Sequence, residues 1–92
     1  VLREAVVHYR RGEVLFADGK YAAARLEFSE TLRLEPQFWR AMVYLGNCFY
    51  KTGQIPRALR CYEEAWRINP QLTDLHRLFQ KEPAPAGGTA AT

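Results

Sequence analysis

Apolar residues recur along most of the chain at the three- and four-residue intervals that are typical of amphipathic helices. Turn-forming residues interrupt this pattern where helices are expected to end. Gly19 and Gly53 suit helix ends because glycine readily adopts a left-handed conformation, and Pro36 and Pro70 cannot continue the helices before them. The pattern therefore predicts an all-α fold with helices over residues 2–18, 21–34, 38–52, 55–68 and 73–81.

The final segment of the chain lacks the helical pattern. Residues 82–92 consist mainly of proline, glycine, alanine and threonine, without regularly spaced apolar residues. Segments of this composition behave as linkers. We therefore expect a helical domain over residues 1–81 that is followed by a flexible tail or linker.

The helical pattern repeats at an offset of 34 residues, as the matching segments SETLRLEPQF and EEAWRINPQL indicate. A fixed spacing of this length is typical of chains built from stacked supersecondary units. The pairs related by the offset are Gly12 and Gly46, Gly19 and Gly53, Ala24 and Ala58, Phe28 and Tyr62, Glu30 and Glu64, Arg33 and Arg67, and Pro36 and Pro70.

In its length and key positions this unit resembles the tetratricopeptide repeat, a helix-turn-helix motif of 34 residues. The second copy matches the family pattern with Met42, Leu45, Gly46, Phe49, Ala58, Tyr62 and Pro70, and the first with His8, Arg11, Gly12, Leu15, Ala24, Phe28 and Pro36. Arg11 is the clear departure, because the family has an apolar residue there. The resemblance implies an α-α superhelix, a solenoid of antiparallel helix pairs, with repeats over about residues 5–38 and 39–72 and a C-terminal capping helix over 73–81.

Gly46 lies inside a predicted helix, where glycine costs roughly 0.5–1 kcal/mol relative to alanine. A close approach of another backbone explains such a glycine. We expect Ala58, on the second helix of the same hairpin, to be the small residue that Gly46 contacts.

The opening helices of successive repeats are expected to line an inner, concave wall. The family resemblance implies that a peptide or helix of a partner protein binds there. Aromatic positions on this face also have a simpler interpretation as packing residues, and Phe16 in particular could fill the gap to the next repeat. The candidate partner-binding residues are Tyr9, Arg10, Glu13, Phe16, Arg40, Val43, Tyr44, Asn47, Tyr50, Lys51, Asp74 and Arg77.

The sequence argues against one ligand class known in the family. Repeat domains that hold the terminal carboxylate of chaperone tails use lysine, asparagine and arginine at set positions of their opening helices. The matching positions here are Tyr9, Glu13, Tyr44, Asp74 and Leu78, and none of them suits that ligand.

Composition limits the remaining functional classes. The net charge of +3 is scattered, with only Arg10 and Arg11 adjacent, so a nucleic-acid interface is not expected. No apolar run approaches the roughly 20 residues of a membrane span. Cys48 and Cys61 stand apart without clustered histidines, which favours buried reduced thiols over a metal site. Reduced thiols in turn favour a cytoplasmic location.

Catalytic residues are likewise not expected. His8 and His76 occupy the tryptophan position of their repeats, where a packing role is expected, and no serine or cysteine has a histidine and an acid suitably placed. We therefore expect a protein without cofactor or enzymatic activity. The alternative to partner binding is a structural or self-association segment, because the opening helix exposes Leu2 and Val6 where a repeat could stack.

Overall fold

A computed structural model describes residues 2–72, and these form four α-helices joined by short turns. The predicted ends agree with the observed ones to within one residue. The predicted capping helix over 73–81 and the tail over 82–92 lie outside the described residues. The helices are α1 (Arg3–Ala17), α2 (Tyr21–Leu34), α3 (Trp39–Lys51) and α4 (Ile55–Ile68).

The turns that close the two hairpins have the same geometry. Gly19 and Gly53 have positive φ angles of 78° and 82°, as the sequence predicted. The amide of Lys20 donates to the carbonyl of Leu15 at 2.9 Å, and the amide of Gln54 donates to the carbonyl of Phe49 at 2.8 Å. This is the Schellman arrangement, which satisfies carbonyls at a helix end. Both hairpins therefore turn back in the same way.

Consecutive helices pack side by side, so that α1 pairs with α2, α3 pairs with α4, and α2 joins the two hairpins by packing on α3. A smaller contact connects α1 with α3. This arrangement of stacked antiparallel helix pairs confirms the predicted all-α solenoid fold over the described residues.

Each hairpin is held closely together where a glycine faces an aromatic ring. A Cβ atom added to Gly12 would lie 2.6 Å from the ring of Phe28, and one added to Gly46 would lie 2.6 Å from the ring of Tyr62. The atoms nearest to such a Cβ at Gly46 therefore belong to Tyr62 and Cys61, and not to Ala58, the residue expected there. The aromatic residue one helical turn further along α4 occupies the space instead, because the glycine leaves room for a flat ring.

The buried core lies between α2 and α3. Ala24 and Phe28 of α2 and Ala41 and Cys48 of α3 form one cluster, and each is at most 1% exposed. Cys48 and Cys61 are free, as the sequence predicted. Burial raises the pKa of each thiol to about 11, although Arg25 acts in the opposite direction on Cys48. Both cysteines are therefore neutral packing residues at neutral pH.

Candidate functional site

Three aromatic residues of the predicted face pack together across α1 and α3. The ring of Tyr44 lies 5.8 Å from that of Tyr9 and 5.4 Å from that of Phe16, with edge-to-face geometry in both pairs. Its other contact is with Phe28 in the core, on which it stacks at 4.9 Å. The name inner face is used below for these three residues together with Glu13, Arg40 and Tyr50, which the 34-residue offset relates to Phe16.

The structure gives three members of the predicted set a role in packing. Tyr44 is part of the wall of the core, because its ring stacks on the fully buried Phe28. Asn47 points to its own hairpin, where its Oδ1 accepts a hydrogen bond of 2.5 Å from the hydroxyl of Tyr62. Phe16 contacts Tyr21 of α2 at 5.1 Å, which supports the packing interpretation.

Glu13 acts electrostatically on the two tyrosine hydroxyls of the inner face. Burial, followed by the negative charge of this carboxylate, raises the pKa of Tyr9 to about 12. Burial and Glu13, in that order, also raise the pKa of Tyr44. Arg40 has a smaller and opposite effect on Tyr9. The structure therefore brings Tyr9, Glu13, Tyr44 and Arg40 to one place on the surface.

Replacing Glu13 with glutamine is expected to lower the pKa of Tyr9 from about 12 towards the ordinary value of about 10. Part of the elevation should remain, because burial is its largest cause. The raised pKa also means that Tyr9 contributes stability that is complete below pH about 10 and is lost as the pH rises through about 12. Ultraviolet titration of tyrosinate measures the pKa directly. Glu4→Gln, which removes an exposed acid at the start of α1, is the control and should leave the titration unchanged.

The other predicted residues of α1 and α3 differ in their exposure. Tyr50 is 41% exposed, Lys51 and Arg10 are also exposed, and Val43 is half-buried. The guanidinium of Arg40 lies 4.6 Å from the centre of the Trp39 ring. Asp74 and Arg77 lie outside the described residues, so their predicted place on this face stays a prediction.

Arg10 belongs to a neighbouring surface. It lines a shallow apolar depression of about 490 Å³ together with Arg11, Val14 and Leu15 of α1 and Glu27 of α2. This depression lies on the α1 surface around Val14, which is 62% exposed. The name open face is used below for Val7, Arg11 and Val14, which follow one another at helical spacing along α1.

The acidic residues of α2 and α4 pair with nearby cations. Arg33 pairs with Glu30, and Arg67 lies 3.2 Å from Glu64 and 3.7 Å from Glu63. The Nδ1 atom of His8 lies 2.7 Å from the carboxylate of Glu27, so this residue links α1 to α2. These contacts agree with the predicted structural roles of His8 and of the charged outer faces.

Within residues 2–72 there is no cluster of three or more potential metal ligands among histidine, cysteine, aspartate and glutamate. The same region contains no helix with the length and hydrophobicity needed to cross a bilayer. The chemistry of the site is therefore described by its aromatic rings, its hydroxyls and its charged side chains.

The comparison with known protein families agrees with the repeat architecture. The model of the tetratricopeptide repeat matches residues 9–72, which include both glycine–aromatic contacts and both hairpin turns. The chain belongs to the tetratricopeptide repeat family. Proteins of this family generally take part in protein–protein interactions.

Relatives of this tetratricopeptide repeat chain include proteins whose names refer to quite different cellular processes. Intraflagellar transport protein 70A of Homo sapiens is 29% identical over 68 residues, which are 74% of this chain and 10% of that protein. Photosystem I assembly protein Ycf3 of Rippkaea orientalis is 34% identical over 73 residues, which are 76% of this chain and 42% of that protein. The chain thus spans about a tenth of the length of the intraflagellar relatives and under half of the photosystem one.

Sequence reasoning missed one member of the aromatic cluster and one contact outside the inner face. Phe38 lies just before α3, and its ring is 4.8 Å from that of Tyr9, so it extends the aromatic cluster. Phe49 lies between two arginines of neighbouring helices. An aromatic residue beside a helix start was the available signal for Phe38, whereas the approach of arginines from α2 and α4 had no local signal.

Proposed function

We propose that this chain is a protein–protein interaction module that binds a peptide or a helix of a partner protein on its inner face. The observation that carries the proposal is the cluster of Tyr9, Glu13 and Tyr44. One side of these rings packs on the core, which fixes their position, and their hydroxyl groups lie near a carboxylate. Rigid aromatic residues with polar ends are typical of binding surfaces.

The charges around the cluster suggest what the partner segment carries. Glu13 forms no ion pair with a basic side chain among residues 2–72. Its carboxylate faces the hydroxyls of Tyr9 and Tyr44 and has further acceptor positions for N–H groups of a ligand. Arg40 and Lys51 are exposed and favour an acidic group elsewhere on the same segment. The proposed role needs neither a cofactor nor catalysis, and the free, buried thiols favour a reducing compartment such as the cytoplasm.

Peptides that bind this face are expected to lose about tenfold in affinity when Tyr50 is replaced with alanine, because exposed aromatic residues commonly contribute at least 1 kcal/mol to binding. Glu13→Gln should weaken the same peptides. Suitable ligands can be selected from a displayed library of random peptides, and their affinities can be measured by calorimetry with the purified chain.

The matched control is Leu26→Ala on α2, which removes a side chain that is 67% exposed on a different surface. This variant should bind the selected peptides as tightly as the parent chain. If the inner-face variants bind equally tightly, or if Leu26→Ala weakens binding as much as they do, the proposed groove is wrong.

A second candidate function, self-association, is favoured by a specific observation on the open face. The 34-residue offset relates Val7, Arg11 and Val14 of α1 to Ala41, Leu45 and Cys48 of α3. On α3 these positions pack against the buried cluster shared with α2, and Ala41 and Cys48 are fully buried. Among the described residues no helix covers the equivalent positions of α1 as α2 covers those of α3. Val7 and Val14 are accordingly 39% and 62% exposed.

Self-association through this surface predicts a mass that rises with concentration in light scattering. Val14→Glu should then restore the monomer, because it places a charge in the apolar contact. A constant monomer mass over the whole concentration series would exclude this alternative. Loss of assembly in the Tyr50→Ala variant would instead locate the contact on the inner face.

A further inference from the structure

Two arginines from different helices approach the same aromatic ring at one end of the stack. The guanidinium carbon of Arg25 on α2 and that of Arg57 on α4 each lie 5.8 Å from the centre of the Phe49 ring. The two cations therefore lie within twice that distance of each other.

Arg25 and Arg57 differ from Arg33 and Arg67 of the same two helices in having no ion-pair partner among residues 2–72. The first turns of α2 and α4 contain no acidic residue. These turns also add the partial positive charge of two helix N-termini to the same region. The two arginines and the two helix N-termini therefore all contribute positive charge to this region.

A small cavity adjoins the Arg25 side chain. It has a volume of about 110 Å³ and is lined by Tyr21, Ala22, Arg25, Cys48, Thr52 and Gln54. A single water molecule needs about 10–15 Å³ of such space, so the cavity has room for a small ion. Tyr21, Thr52 and Gln54 of the lining carry side-chain groups that can donate hydrogen bonds. The Gln54 amide makes a weak contact of 3.4 Å with the Thr52 hydroxyl, which an incoming acceptor would readily replace.

The repeat architecture does not require this arrangement. The 34-residue offset relates Phe49 to Leu15, Arg57 to Ala23 and Arg25 to Leu59. The equivalent positions are thus apolar or small, and the first hairpin forms without any such group of cations. The two arginines are therefore specific to this junction of α2, α3 and α4 and are not required by the repeat pattern.

We propose that Arg25, Arg57 and the adjoining cavity form a binding site for a phosphate-type oxyanion. Guanidinium groups suit such ligands because their planar N–H groups donate two parallel hydrogen bonds to neighbouring oxygens. Arg25 and the cavity donors hold the anion, and Arg57 approaches from α4 across the Phe49 ring. The site lies where α3 ends and α2 and α4 begin, and it is separate in composition from the inner face.

The test is a titration of the isotopically labelled chain with inorganic phosphate, followed by amide chemical shifts. Sodium chloride keeps the ionic strength constant. Saturable shifts are expected at residues 21–25 and 52–57, with half-saturation on the order of 1 mM. Arg25→Gln and Arg57→Gln should each weaken binding by about tenfold, since a hydrogen bond to a charged group is lost in each.

The control is Arg60→Gln, which removes an exposed arginine from α4 outside this group. It should change phosphate affinity by less than about twofold. The spectra of all variants also report whether each one remains folded. Absence of saturable shifts in this region overturns the proposal, and so does an equal loss of affinity in Arg60→Gln, which would indicate a general charge effect.

A second part of the experiment distinguishes a free phosphate ion from a phosphorylated polypeptide as the ligand. A short phosphoserine peptide is compared with its unphosphorylated form under the same conditions. Tighter binding of the phosphopeptide than of inorganic phosphate, again lost in Arg25→Gln, identifies a phosphorylated polypeptide as the ligand. Equal affinities identify the free ion, and binding of both peptides alike overturns recognition of the phosphate.

Discussion

Replacing Phe28 with alanine is expected to destabilise the folded chain by about 3–5 kcal/mol, the largest effect of any single substitution considered for this protein. Phe28 is fully buried, stacks on Tyr44 at 4.9 Å and contacts Tyr9 by its edge at 5.9 Å. It also occupies the space that Gly12 leaves open. Its removal therefore weakens the first hairpin and the junction of the two repeats together.

Chemical denaturation followed by circular dichroism measures this loss. Small domains are stable by only about 5–15 kcal/mol, so the variant should unfold at a much lower denaturant concentration. Leu26→Ala, on the same helix but 67% exposed, should change stability by no more than about 0.5 kcal/mol. Similar losses in both variants would show that Phe28 does not have the central position described for it.

Replacing Gly12 with alanine is expected to destabilise the chain by about 1–3 kcal/mol through overpacking. The result is the reverse of what helix propensity alone predicts, because alanine favours a helix by about 1 kcal/mol relative to glycine. Three ring atoms of Phe28 would lie 2.6–2.8 Å from the new methyl group. The buried ring has no free space into which it can move, so the backbones of α1 and α2 must separate.

A double-mutant cycle identifies the cause of this effect. Phe28→Leu removes the ring atoms that meet the new methyl group, so the combined variant should be more stable than the sum of the two single losses implies. Thermal or chemical unfolding of the four proteins provides the coupling energy. Strict additivity would mean that Gly12 is needed for some reason other than the ring of Phe28.

The sequence predicted the helices and the repeat because those features depend on local chemistry. Gly19 and Gly53 must adopt positive φ angles to close their turns, and proline cannot continue a helix, so the helix ends follow from residue types alone. The 34-residue offset then related the two hairpins. Equivalent residues accordingly perform equivalent roles in both, as the ring contacts of Gly12 and Gly46 demonstrate.

The inner face was only partly predictable, because helical periodicity locates a residue on a side of a helix without showing which neighbour lies there. Tyr44 was correctly assigned to the same side as Tyr9, yet its ring turns towards Phe28 of the core. Asn47 was assigned to that side as well, and its partner proved to be Tyr62 of its own hairpin. These outcomes depend on side-chain length and on the distance between helices, which no single-helix pattern contains.

The partner of Gly46 shows the same limit. A small residue facing another small residue was the simplest explanation, and Ala58 is indeed fully buried. The ring of Tyr62 nevertheless fills the space beside the glycine. The 34-residue offset paired Tyr62 with Phe28, so a large side chain opposite each glycine was visible in the sequence. The direction in which this side chain points was not visible in the sequence, because it depends on the rotation of α4 about its own axis.

The buried cluster of Ala24, Phe28, Ala41 and Cys48 spans the boundary between the two repeats. In arrays of this kind the energy of neighbouring contacts adds to the intrinsic stability of each unit. An engineer who shortens or transplants this molecule should therefore end the piece at a hairpin turn, between α1 and α2 or between α3 and α4. A cut between α2 and α3 would divide the buried cluster. The transferable module is the pair of α2 and α3, which takes one helix from each repeat. The repeat boundary that follows from sequence periodicity lies between these two helices.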